Sequence, residues 1–258
     1  MESSKTNTIS QQALGLLQVS PSDPIAEAIS QAVDKAIIEK NTKRERRRYL
    51  GASSIGEECS RKIQYRYLNY PTDEGSGFSA KTLRIFEFGH HIEDHAAAWL
   101  RDAKFDLRTE DKMGQQFGFS IAGDEIKGHI DGVICGGNVN MGYPCLWENK
   151  SANDQKWKGF QRMGVAKANP VYATQIALYQ AYMELTEHPA LFTVVNKNTS
   201  EIYYELVPFN RELAQAASDK AVNILTAAKA GDILPRIAQT KDFYLCKFCE
   251  FRETCWNN

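Results

Sequence analysis

Residues 128–151 read GHIDGVICGGNVNMGYPCLWENKS. Two apolar segments, 127–135 and 145–151, flank the turn-forming stretch GGNVNMGYP, and that order predicts a β-hairpin. Strand side chains two apart share a face, so Glu148 and Lys150 stand side by side with Asn149 turned away. The hairpin carries Asp131 on its first strand towards Glu148 on its second. The bland reading is a cross-strand ion pair. The chemical reading is a metal site. Two close carboxylates repel and are stable mainly with a cation between them. Their hard oxygens suit Mg²⁺ or Mn²⁺. An adjacent amine can orient or help deprotonate a water and offset charge on a phosphoryl oxygen. Glu-x-Lys also occurs at Glu110/Lys112, which follows a helix end and has no acid on an adjoining strand, and at Glu125/Lys127, which sits in the turn GDEIKG. The residues alone leave the ion pair and the metal site open.

Working outward, strands are expected at 115–122, 191–196 and 201–207, the last two joined by the turn KNTS. Helices are expected over 80–104, near 170–187 and over 210–230, with a short one starting near Ser53 or Ser54. Ile25, Ile29, Val33 and Ile37 fall four apart and predict one face of an N-terminal helix that ends in the basic run 43–48. Strands mixed with helices imply an α/β layer architecture, with residues 1–48 as an N-terminal extension and 49–258 as the main domain.

The chain is 43% hydrophobic and 24% charged, with a net charge of −1. This excludes a globally basic nucleic-acid binder but leaves room for a local basic track. No apolar run reaches the roughly 18 residues of a membrane span, and MESSKTNTISQQALGLL lacks the basic-then-apolar order of a secretion signal. A cytoplasmic location is expected. Cysteines in a reducing compartment ligate metals, catalyse or pack in cores more often than they form disulfides.

Cys246, Cys249 and Cys255 form C-x2-C-x5-C, and three thiolates need a fourth, which Cys59 can supply. The spacing admits zinc or an iron–sulfur cluster. Cys135 and Cys145 flank the hairpin turn as core residues. The segment after Cys59 carries Arg61, Lys62 and Arg66 with Tyr65 and Tyr67. It is either a track for a DNA strand or an ordinary basic surface over core tyrosines. Lys156 and Lys158 are weaker candidates of the same kind.

Asp131 followed by Glu148-Asn149-Lys150 resembles the PD-(D/E)xK nuclease superfamily. FGHHIED fits the family's upstream ligand position with Gly89 and Glu93, beside His90, His91 and His95 as rivals, and PVYATQIALYQAY supplies the Gln-x-x-x-Tyr of RecB-type members as Gln175 and Tyr179. The naming proline is replaced by Ile130, as in RecB-like branches. The cysteine set resembles the iron–sulfur members of this group, the AddB-type helicase–nucleases and the CRISPR-associated Cas-four family. The resemblance implies a restriction-endonuclease-like mixed β-sheet flanked by helices, stapled by a [4Fe–4S] cluster on Cys59, Cys246, Cys249 and Cys255, with structural Zn²⁺ as the alternative. It implies Mg²⁺ or Mn²⁺ on Glu93, Asp131, Glu148 and the Asn149 carbonyl, with Lys150 readying the water. Gln175, Tyr179, Arg61, Lys62 and Arg66 would position DNA. The implied activity is hydrolysis of DNA from an end, in a phage-type or CRISPR-locus protein working with recombination or CRISPR-adaptation proteins and open to oligomerisation. Two competing expectations are a non-catalytic binding module on a nuclease fold and a structure-specific endonuclease on branched DNA.

Overall fold

The structure, a computed structural model, describes residues 23–44 and 47–257. Residues 1–22 of the extension, and Glu45 and Arg46 of the basic run, lie outside the described residues.

A five-stranded mixed sheet organises the molecule. Its order is β2 (Leu107–Arg108), β5 (Gly132–Ile134), β6 (Cys145–Ala152), β7 (Ala190–Asn196) and β8 (Ile202–Val207). β5 and β6 are the expected antiparallel hairpin, with Gly132 opposite Trp147. β6 and β7 run parallel, joined by a crossover through α4 (Asp154–Ala168) and α5 (Pro170–Tyr182). β7 is buried along its whole length because both faces of the sheet are covered. On one face, Cys145 and Trp147 pack with Leu191, Val195 and α3 (Ala80–Asp102). On the other, Leu146 and Ala152 join the larger core with α4, α5 and α6 (Arg211–Ala230).

The expected strand over 127–135 is two strands in different sheets. β4 (Ile126–His129) belongs to a three-stranded sheet with β1 (Leu50–Gly51) and β3 (Gly118–Ile121), and only β5 continues into the large sheet. Ile130 and Asp131 occupy the break, which frees the Asp131 side chain from strand pairing. Sequence alternation runs on through a break of this kind, because both strands keep a buried face.

The helices near Ala80 and Arg211 stand where expected, capped by Ser79 and Asn210. The short helix expected from Ser53 or Ser54 begins later: residues 52–54 form a 3₁₀ turn, and α2 (Ser60–Tyr67) starts after Cys59. α4 had no counterpart in the sequence reading, although Asn153 caps it and Trp157 and Phe160 bury its inner face. Two short helices, α7 (Tyr244–Lys247) and α8 (Arg252–Asn257), close the C-terminus.

α1 (Pro24–Thr42) buries none of its residues. Ile25, Ile29 and Val33 are 71%, 59% and 49% exposed. The physical reason is angular drift: at 3.6 residues per turn, a spacing of four advances about 40° per step, so the stripe winds around the helix. Asp34, Ile37 and Asn41 are half-buried, and Asp34 pairs with Arg84 of α3 at 2.5 Å. No helix among the described residues is long and apolar enough to cross a membrane.

Candidate active site and cysteine pocket

Asp131 leaves the strand break and accepts the backbone N–H of Asn149 at 2.7 Å on Oδ2. N–H and C=O of one strand residue point to the same side, so the Asn149 carbonyl also faces the Asp131 carboxylate. The Asn149 side chain is held from behind: Trp147 Nε1 donates to Thr193 Oγ1 at 3.1 Å, and that hydroxyl donates to Asn149 Oδ1 at 2.8 Å. Glu148 is fully buried. Its Oε1 accepts from Lys150 Nζ and, at 2.6 Å, from Gln175 Nε2. Its Oε2 has no partner. A buried carboxylate oxygen without a donor is costly and marks a place where a ligand is taken.

Glu93, on α3, completes the group. Burial first, and Asp131 second, push its carboxyl up to about 7. Glu148 is pushed up to about 8, again by burial and then by Asp131. Asp131 is raised by burial, with Lys150 and the Asn149 N–H offsetting part of it. Burial works to lower the Lys150 amine, but Glu148 and Asp131 outweigh it and hold it above the ordinary lysine range. The ammonium also lies 5.4 Å from the centre of the Tyr172 ring. The three acids thus converge within mutual electrostatic reach. Among the described residues, however, no three His, Cys, Asp or Glu side chains close around one point at ligating distance. The donor set still fits a hard divalent cation: three carboxylates, one of them with an orphaned oxygen, and one backbone carbonyl.

Gln175 and Tyr179 share a helix face as their spacing predicts, but both are buried. Gln175 positions Glu148 rather than DNA. Tyr179 packs edge-on against Phe119, with ring centroids 5.9 Å apart. Gly128 permits this: a Cβ there would lie 2.6 Å from Phe119 and 2.9 Å from Tyr179. Of the three histidines, His90 stands within electrostatic reach of Asp131, while His95 stacks on Trp99.

These raised carboxyls predict a pH dependence. A folded-state pKa above the unfolded value means that the folded protein binds the proton more tightly, so stability is lost as pH rises through the folded pKa. The melting temperature is therefore expected to fall from about pH 5 to about pH 8. Mg²⁺ or Mn²⁺ competes with protons for the same oxygens, so it should raise the melting temperature more at pH 8 than at pH 5. Thermal denaturation across that window checks both. A flat profile with equal shifts would remove the coupled carboxylates.

The second assembly is a cavity of about 160 Å³ lined by Cys59, Cys246, Cys249 and Cys255, all free thiols. Burial first, and neighbouring thiols next, raise Cys246 and Cys249 above the ordinary thiol range. Cys145 is also free, fully buried and pushed up to about 11 by burial, which suits a core residue. The C-terminal arm reaches the pocket through its own bonds. Gln64 holds both Asp232 and Leu234, Arg66 pairs with Glu250 at 2.5 Å, and Asp73 accepts from the backbone of Glu253 and Thr254.

The basic residues of α2, expected to lie along a DNA strand, have partners within the chain. Arg61 donates to the Leu234 carbonyl and faces Cys255 Sγ at 3.7 Å; Lys62 pairs with Glu57 at 2.8 Å; Arg66 pairs with Glu57 and Glu250. Tyr65 is buried and stacked on Tyr70, and Tyr67 donates to Glu125. Carboxylates within the chain offset Lys62 and Arg66, whereas Arg61 bonds a carbonyl and faces a thiol. Lys158 pairs with Asp154 at 2.8 Å, and Lys156 is exposed.

The architecture is a mixed α/β fold, a five-stranded mixed sheet flanked by helices. Among solved structures it is similar to an alkaline exonuclease, LHK-Exo from Laribacter hongkongensis, with a TM-score of 0.50 and 13% identity over 78% of this chain and 93% of that one. The same exonuclease in complex with dAMP scores 0.49 at 14% identity, over 72% of this chain and 90% of that one. SSO0001 scores 0.49 at 14%, over 88% and 96%. At such identities the likeness speaks for the fold alone. The chain matches no known family profile and no curated protein.

Proposed function

We propose that this chain is a Mg²⁺- or Mn²⁺-dependent deoxyribonuclease that hydrolyses DNA from an end. The observation that carries it is the buried Glu148, one oxygen unpartnered, facing Asp131 and Glu93 beside a charged Lys150. The nuclease-type fold supports the reading. Glu93, Asp131, Glu148 and the Asn149 carbonyl would hold the cation. When bound, it would supply a water activated at neutral pH and charge neutralisation at the phosphate. Lys150 remains an ammonium under the combined field of Glu148 and Asp131, so its role is to donate rather than to accept a proton. It orients the water and offsets charge developing on a phosphoryl oxygen. Gln175 fixes the Glu148 carboxylate, and the Trp147–Thr193–Asn149 chain fixes the strand behind it.

In this reading the four cysteines hold a [4Fe–4S] cluster that joins α2 to the C-terminal arm. All four lining one cavity supports a shared ligand, although among the described residues no three of them close around one point at ligating distance. Zinc remains the alternative occupant.

The test is digestion of end-labelled single- and double-stranded DNA by anaerobically purified protein with Mg²⁺, Mn²⁺ or EDTA. Stepwise, metal-dependent loss from an end is expected. Cleavage of circular or branched DNA without regard to ends would make it an endonuclease. No cleavage under any condition would leave a binding module.

A further inference from the structure

A cleft of about 400 Å³ lies between α1 and the first half of α3, and none of the three carboxylates lines it. His90 lines it and is within electrostatic reach of Asp131, and Glu93 stands one helical turn further on. Its two walls differ in chemistry. The α1 wall presents Lys40, Asn41 and Arg44, from the helix's last turn and just beyond. The α3 wall presents rings and acceptors. Phe78 and Phe86 meet edge-on at 5.1 Å and remain 49% and 48% exposed, with Glu87 and Asp94 further along.

We propose that this cleft holds the single-stranded end of a DNA substrate, with phosphates along α1 and bases against α3. The proposal rests on the reading of the three carboxylates as a nuclease centre. A single strand has a charged edge and a ring edge. Lys40 and Arg44 match the first, and the exposed phenylalanines match the second by stacking. Glu87 and Asp94 repel a backbone from the α3 wall and accept from exocyclic amino groups of bases turned towards it. The volume suits a ligand of nucleotide size rather than a duplex. α1 buries no side chain, and Arg84–Asp34 pairs it to α3, so this wall can shift to admit a strand.

The test is fluorescence anisotropy in EDTA with a fluorescein-labelled single-stranded oligonucleotide and a blunt duplex of the same sequence. Lys40→Glu/Arg44→Glu should weaken single-strand binding at least about tenfold and flatten its salt slope by about 1.4. Phe86→Ala should weaken it between about five- and a hundredfold. Duplex binding should change less than about twofold, and hydrolysis of bis(p-nitrophenyl) phosphate, too small to span the cleft, should be unchanged. Unaltered single-strand affinity in both variants overturns the assignment, as does equal weakening for duplex. If the charge-reversal variant melts early, Phe86→Ala alone decides. A wild-type protein that hydrolyses neither DNA nor the small ester would refute the nuclease reading, and the affinities would still judge the cleft.

Discussion

Replacing Lys150 with methionine is expected to lower metal-dependent DNA cleavage by between about a hundred- and ten-thousandfold. Methionine keeps the apolar stem beside Tyr172 and removes only the ammonium. Removing one member of a buried ion pair usually leaves a costly stranded charge. Here the site has an escape, because Glu148 is already pushed up to about 8 and would rise further, taking a proton and keeping Gln175 as a donor. The variant should therefore fold, with its largest stability loss at high pH, where that proton is hardest to hold.

The cation response separates a chemical from a structural role for this lysine. With one positive charge gone, the three carboxylates attract a divalent cation at least as strongly once it displaces the Glu148 proton, so the Mn²⁺-induced rise in melting temperature should persist at pH 8 and above. Lost cleavage with a retained thermal shift assigns Lys150 to the chemistry. Lost cleavage with a lost shift makes it a scaffold of the site. Full cleavage in Lys150→Met takes the lysine out of the mechanism.

The sequence disclosed what depends on local period and missed what depends on distant partners. The hairpin was readable because a period of two and a turn-rich loop place Asp131 near Glu148, whatever surrounds them. Gln175 was readable as a site-facing residue because i and i+4 share a helix face, although its target, Glu148, lies 27 residues away. Arg66 could be read only in part: Glu57, nine residues upstream, is one partner, but Glu250, the other, is 184 residues further along. Nothing in the α2 segment records that pairing. The helix α1 was readable from its spacing but its exposure was not, since an exact four-residue spacing winds off the contact face within three steps. The change of sheet between β4 and β5 was hidden because Gly128 admits the Phe119 and Tyr179 rings and Gly132 admits the Arg108 backbone without disturbing the alternation around them.

Cys59→Ser is expected to remove the visible absorbance of anaerobically purified protein and to lower its melting temperature by about 10–20 °C. A ligand shared by Cys59 and Cys246 closes a loop of almost the whole domain. For loops beyond about 100 residues, the unfolded-chain entropy removed is on the order of 5 kcal/mol, by analogy with a disulfide. The arm keeps its other ties through Gln64, Arg66 and Asp73, so it should loosen rather than detach. The loosening has a route to the catalytic carboxylates. Val171 lines the cysteine cavity, and Gly56 packs so closely that a Cβ there would lie 2.9 Å from the Val171 backbone. Gln175, which fixes Glu148, sits one turn further along the same face of α5. A shift of α5 therefore misplaces the carboxylate, and cleavage should fall by about ten- to a hundredfold although no group at the site has been altered. A colourless wild-type protein carrying zinc would change the occupant and keep the staple. A serine variant with unchanged metal content, melting temperature and cleavage would reduce the four thiols to packing.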